Sequence, residues 1–373
     1  MNRYRFLEPS CPDLSIFTGY IKGIVSGGRL SNNGPMVKKL EASFKNLFEV
    51  EQAICVSSAT LGLLILLRVL DITPGSEVIL PSFNFPAPAE AALWNRLELS
   101  YGEIRGDDLT MDVSQLNKCL NHRSRVIMPV HSMGNLADVD AWHFFAKKHD
   151  LCLLFDGASA IGSLILPGKG KAGIGIGTVI SLHATKILPA GEGGVILTND
   201  RSLSKLCRQL INFGFDTKGS VNFYGLNAKL SELHAAFVLA GLKNLHDNLN
   251  LRVELMEVYL ENLGRIPWLI PCVSSPSVPH LFPVLLNHRY PASLRESLLN
   301  QLHLQGIETR CYYNPPLHRM PAFKPALPIS LPITEEVCSR IICLPFHTGL
   351  SPGSVIDMIN RMETIEVSYA QKS

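Results

Sequence analysis

Residues 181–194 read SLHATKILPAGEGG, and the fold follows from how this stretch is flanked. Before it, TVISL (178–182) has the length and composition of a buried strand, and after it GGVIL (193–197) has the same character. Lys186 therefore emerges at a strand end on a constrained, glycine-rich loop. Its amine could form a Schiff base with a carbonyl cofactor. Spacing alone equally admits a solvated lysine in a glycine-rich hairpin, so the rest of the chain has to decide.

Working outward, apolar runs of strand length alternate with amphipathic stretches. AICVSS (53–58), EVILP (77–81), VIMPV (126–130) and LCLLFD (151–156) read as strands. The stretches 36–48, LGLLILLRVL after Thr60, 86–97, 137–150 and 203–211 read as helices, as do 230–242 and its continuation towards Leu263. This alternation predicts a largely parallel sheet covered by helices, with ligands at the carboxyl ends of its strands. Asp156 closes one such strand, where a carboxylate can bond to a protonated ring nitrogen or cap a turn. Ala59 and Thr60 stand where a strand runs into a helix, a place suited to a phosphate or to plain N-capping. GKGKAG (168–173) fits G-x-G-x-x-G, but a strand follows it and not a helix, which argues against a nicotinamide site. Residues 1–35, rich in Pro, Gly, Ser and Asn, read as an irregular arm. Past IPWLIP (266–271) come LFPVLL (281–286) and helices near 292–304, 333–341 and 352–365. The expected division is a large domain over 1–245 and a smaller α+β domain over 246–373.

With 373 residues, 46% of them hydrophobic and 18% charged, the chain can bury a substantial interior. A net charge of +2 and no Lys/Arg cluster leave no case for nucleic acid. Nine cysteines without a CxxC pair argue against a disulfide framework or a zinc site and for a reducing cytoplasm. The N-terminus lacks a signal-peptide core, and LGLLILL (61–67) is too short to span a membrane, so no membrane segment is expected.

VSSATLGL (56–63), PSFNFPA (81–87), PVHSMGNLADVD (129–140), FDGASA (155–160), SLHATKILPAGEGG, GLNAKLSELHAA (225–236) and GIETRCYYNPPLH (306–318) occur in one order. That order resembles the DegT/DnrJ/EryC1/StrS family of pyridoxal phosphate-dependent sugar aminotransferases. The resemblance runs from about residue 5 to residue 365 and implies the fold type I architecture: a mostly parallel seven-stranded sheet, a smaller C-terminal α+β domain, and a homodimer with shared active sites. It implies Lys186 as the Schiff-base lysine, cycling through pyridoxamine phosphate, and Asp156 as partner of the pyridinium nitrogen. Ala59, Thr60 and Ser181 match phosphate ligands, Phe85 the ring-stacking aromatic, and Asn227 the residue that reaches the neighbouring subunit's phosphate. His183, Glu192 and the His131 region lie close to these in the motifs and are assigned to supporting the cofactor's ligands or to the substrate, and Arg310, Tyr312 and Tyr313 match a segment bordering the substrate. Ser159 stands where many members carry Gln or His, which puts the usual bond to the cofactor's 3-hydroxyl in doubt. Dehydrating members replace the lysine with histidine, so Lys186 favours transamination. The implied reaction moves an amino group from L-glutamate to a keto group of a nucleotide-linked deoxysugar. A keto-cyclitol acceptor and a non-catalytic scaffold of the same fold are the alternatives.

Overall fold

The computed structural model describes residues 3–168, 171–274, 276–325 and 329–367. Positions 169 and 170 of the glycine-rich loop, and the ends 1–2 and 368–373 of the two expected domains, lie outside them.

Two helices open the chain, α1 (Leu14–Gly27) and α2 (Pro35–Phe48). The first falls inside the stretch expected to be an irregular arm and corrects that expectation. Asp13 caps it by accepting from the amides of Ser15 and Ile16, and Gly28 ends it in a left-handed conformation. Gly19 and Gly23 mask the helical signal, since glycine disfavours an isolated helix. Packing of Phe17 edge-on against Phe237, centroids 5.2 Å apart, ties the helix to the body of the protein.

Strand and helix then alternate as the periodicity predicts: β1 (Gln52–Val56), α3 (Ala59–Val69), β2 (Glu77–Pro81), α4 (Ala87–Trp94), β3 (Glu98–Gly102), β4 (Ser124–Ile127), α5 (Val139–Lys148), β5 (Cys152–Asp156), the single turn α6 (Ile161–Leu164), β6 (Gly177–Ser181), β7 (Gly194–Thr198) and α7 (Arg201–Leu210). Among these β3 and the single turn α6 are unheralded. ELSYG is an edge strand whose first three residues are not buried, so it carries no apolar run. The strands form one sheet in the order β1-β7-β6-β5-β4-β2-β3. Only β7 runs antiparallel to its neighbours, β1 and β6. The carboxyl ends of β1, β6, β5, β4 and β2, with the amino end of β7, therefore share one edge. Alternate strand residues serve opposite faces: Ile54 and Val56 pack with Leu63 and Leu66 of α3, whereas Ala53 and Cys55 pack with Leu40 and Phe44 of α2.

Beyond the sheet, α8 (Glu232–Gly241) and α9 (Leu245–Asn262) lead into a three-stranded antiparallel sheet. It comprises β8 (Leu269–Pro271), β9 (Phe282–Leu286) and β10 (Ile341–Leu344) in the order β10-β9-β8, with α10 (Arg295–Leu304), α11 (Pro332–Arg340) and α12 (Pro352–Glu363) beside it. Leu255, Tyr259, Phe282, Phe346 and Met358 form its core. The two parts are stitched together. His318 Nδ1 pairs with Ser82 Oγ, just after β2, at 2.6 Å, and Glu103 accepts from the amides of Ile333 and Thr334 at the start of α11.

Candidate active site

Lys186 leaves β6 on a loop closed by its own backbone. The amides of Leu182 and Ala184 donate to the carbonyls of Gly193 and Gly191 at 2.9 and 2.8 Å, and Ile187 and Leu188 are buried as anchors on the far side of the lysine. Its Nζ donates to Ser159 Oγ at 2.9 Å. Asp156 ends β5, the strand beside β6, and is only 4% exposed. One carboxylate oxygen accepts from the Ala158 amide at 2.9 Å. Burial pushes this carboxyl above its ordinary range, while the Ala158 amide and the Lys186 charge pull it down. Burial likewise pushes the Lys186 amine down to about 8, against the pull of Asp156. Each group thus moderates the desolvation of the other.

One corner of the same edge is shaped for an anion. Ser58 caps α3, its Oγ accepting from the Leu61 amide at 3.2 Å, which leaves the first-turn amides of Ala59 and Thr60 without an acceptor inside the helix. Gly194 lies so close that a Cβ there would stand 2.7 Å from the Ala59 nitrogen. Ser181 is the register partner of Gly194. Two backbone amides, a hydroxyl and the positive end of a helix therefore converge, the donor set that a phosphate takes. The buried carboxylate of Asp156 fits a protonated ring nitrogen. Phe85, after β2 at this edge, is 59% exposed and so is not part of the core. Tyr313 packs edge-on against Phe83 at 5.3 Å, and the charge of Asp156 adds to burial in raising its phenol, so it belongs to the Asp156 side of the site.

Other expected residues are placed differently. His183 and Glu192 sit on the lysine loop, 3.6 Å apart, and His183 Nδ1 also pairs with Thr185 Oγ1 at 2.9 Å. His131 lies behind Asp156, its amide donating to the Asp156 carbonyl and its ring stacked on Phe155 at 5.1 Å. Burial pushes that imidazole down to about 4, as befits a core histidine. Asn227 is exposed, and its Oδ1 accepts from Lys229 Nζ at 2.8 Å. Arg310 pairs with Cys343 and lays its guanidinium over Phe6 at 5.5 Å, and Tyr312 contacts the same ring at 5.9 Å. Arg310 also lines a cleft of about 390 Å³ with Arg3 and Glu308, a group that does not include Lys186.

One residue escaped the sequence reading. His280, just before β9, is 4% exposed and its Nδ1 has no hydrogen-bond partner among the described residues. Burial keeps its imidazole neutral, and the charges of Lys186, Arg252 and His183 push the same way, which places it in the wall of the lysine site. A lone histidine ahead of a strand carries no spacing signal; only the tertiary fold brings it here.

A cavity of about 610 Å³ lies at the opposite edge of the sheet, lined by Glu77, Glu98, Glu103 and Arg123, and contains none of the expected site residues. Among the described residues there is no cluster of three or more His, Cys, Asp or Glu that could hold a metal, and no helix long and apolar enough to cross a membrane.

The curated dTDP-4-amino-4,6-dideoxy-D-glucose transaminase of Shigella dysenteriae is 30% identical over 366 residues, covering 96% of this chain and 98% of its own. The dTDP-3-amino-3,4,6-trideoxy-alpha-D-glucose transaminase of Streptomyces venezuelae is 31% identical over 333 residues, covering 88% and 86%. The crystal structure of S. venezuelae DesV in complex with a ketimine intermediate superposes with a TM-score of 0.87 at 29% identity, covering 97% of this chain and 98% of that one. The profile of one family matches residues 16–363, and the site assembled above lies within them: the chain belongs to the DegT/DnrJ/EryC1/StrS aminotransferase family.

Proposed function

We propose that this protein is a pyridoxal phosphate-dependent aminotransferase that transfers an amino group from L-glutamate to a keto group of a nucleotide-linked deoxysugar. The observation that carries this reading is the meeting of half-buried Lys186, on the loop after β6, with buried Asp156 at the end of the adjacent β5, beside a corner built for phosphate. Bound there, pyridoxal phosphate supplies the electron sink that lets a proton leave the carbon bearing the nitrogen. Asp156 keeps the ring nitrogen protonated. Ala59, Thr60 and Ser181 would hold the cofactor's phosphate, and Phe85 would lie against its ring. The Lys186 amine would be the group that takes the cofactor's carbonyl carbon and would serve as the general base and acid that moves the proton, a task suited to a pKa near operating pH.

The same proposal makes the protein a cytoplasmic homodimer, in which Asn227 reaches the partner's phosphate, and divides the chain at residue 245. Support for the dimer comes from the segment around Asn227, where Phe213, Phe215, Val221, Phe223 and Tyr224 are all exposed, Tyr224 at 90%. Nine unpaired cysteines suit a reducing compartment. His183, Glu192 and Tyr313 are assigned to the substrate side, with Arg310 at its periphery.

The test is an incubation of purified protein with pyridoxal phosphate, L-glutamate and dTDP-4-keto-6-deoxy-D-glucose, the acceptor suggested by the names of the relatives. Mass spectrometry should find the dTDP-aminodeoxysugar and 2-oxoglutarate in equal amounts. Amination of a free keto-cyclitol but of no nucleotide-linked keto-sugar would overturn the acceptor assignment. Failure to convert glutamate to 2-oxoglutarate would overturn the donor.

A further inference from the structure

Ser159 is held in a place that its residue type alone does not explain. It follows Asp156 by three residues on a tight turn, in which the Ala158 amide bonds the Asp156 carboxylate and the Ala160 amide bonds the Gly157 carbonyl at 2.9 Å. The turn is pinned to β6 by the Gly157 amide donating to the Val179 carbonyl at 2.9 Å. Gly157 lies so close to that strand that a Cβ would stand 2.8 Å from Thr178 Cγ2. The backbone that carries Ser159 is therefore fixed relative to both Asp156 and β6, from whose end the Lys186 loop leaves. The Ser159 hydroxyl lies one bond from its Cβ, and Lys186 Nζ meets it at 2.9 Å.

From this geometry we infer that Ser159 is a positioning residue for Lys186, holding the amine in place whenever it is not bonded to the cofactor. The inference rests on the proposed function. A hydroxyl suits the task because it accepts from an ammonium and donates to a neutral amine, so it can hold both forms without changing place. A lysine has four side-chain rotors, and an untethered amine samples many positions; a fixed partner removes that search from the proton-transfer step. Asp156, by contrast, is committed to its carboxylate role and to the Ala158 amide. The other titratable groups facing the amine are His183 on its own loop and His280 on the segment before β9, both part of the same electrostatic cluster. Neither has a hydrogen bond to Lys186 among the described residues.

The experiment compares Ser159→Ala, Ser159→Thr and the parent in two states. Without cofactor, the pH dependence of Lys186 modification by an amine-directed acylating reagent is followed by peptide mass spectrometry. With pyridoxal phosphate, the half-reaction with L-glutamate is followed by stopped-flow absorbance. Loss of a hydrogen bond to a charged group predicts that Ser159→Ala lowers the modification midpoint below about 8 and slows the half-reaction on the order of tenfold, with KM little changed. Ser159→Thr, which keeps the hydroxyl, should restore both. An unchanged midpoint in Ser159→Ala, or a Thr variant that folds yet behaves as Ala does, would overturn the inference. If pyridoxal phosphate failed to attach to Lys186 at all, the functional reading would fall, while the cofactor-free titration would still decide the role of Ser159.

Discussion

Lys186 and Asp156 are each costly to bury and useful only together. Because burial disfavours the ammonium, the folded chain binds fewer protons at Lys186 than the unfolded chain does between pH about 8 and its ordinary 10.5. The destabilisation is fully present below about pH 8, fades as pH rises from there to 10.5, and is gone above it. Lys186→Met should therefore raise the melting temperature of cofactor-free protein more at pH 7 than at pH 10.5, a difference that scanning calorimetry reads directly. It should also abolish the visible absorbance that appears when the parent meets pyridoxal phosphate. Asp156→Asn keeps an acceptor for the Ala158 amide but loses the charge, so the protein should stay folded while kcat falls about 10²–10³-fold. The strands flanking Lys186 were legible as apolar runs, but its own spacing left the lysine undecided, and only the ordered set of motifs along the chain singled it out. His280 and the hydrogen bond between Ser159 and Lys186 were not legible, because nothing local links positions so far apart in the chain.

At the scale of elements, the phosphate corner depends on how closely β7 approaches α3. Gly194→Ala would force its Cβ against the Ala59 nitrogen and displace the first turn of the helix, so cofactor affinity should fall at least tenfold by equilibrium dialysis, with the fold retained. Ser58→Ala removes the cap and should cost about 1 kcal/mol of stability in denaturant titration. The strands of the main sheet could be read from sequence because each, buried on both faces, is a continuous apolar run. The exceptions have physical reasons. At the sheet edge, β3 has no buried run in its first three residues; α1 is glycine-rich and held by tertiary packing; β10 is four residues long and directly follows α11. The turn at Ala59 and Thr60 was visible as strand into helix, but its second wall, Gly194 and Ser181, is supplied from more than a hundred residues away.

The whole molecule leaves Phe213, Phe215, Val221, Phe223 and Tyr224, set in an otherwise polar loop, facing outward, and a site whose phosphate corner the proposal completes from a second copy. Co-expressing Lys186→Ala chains with Asn227→Ala chains should yield activity that neither variant shows alone, because mixed dimers contain one intact site; no recovery would contradict a shared site. The architecture itself was legible from alternation, while the acceptor sugar was not, since the residues beside it come from segments far apart in the chain. All of these expectations depend on one attachment. The most direct measurement is borohydride reduction of the protein in the presence of pyridoxal phosphate, followed by proteolysis and peptide mass mapping. The account predicts a single phosphopyridoxyl group, on Lys186 out of all the lysines in the chain. Attachment at another lysine, or none under conditions where the protein is folded, would contradict it.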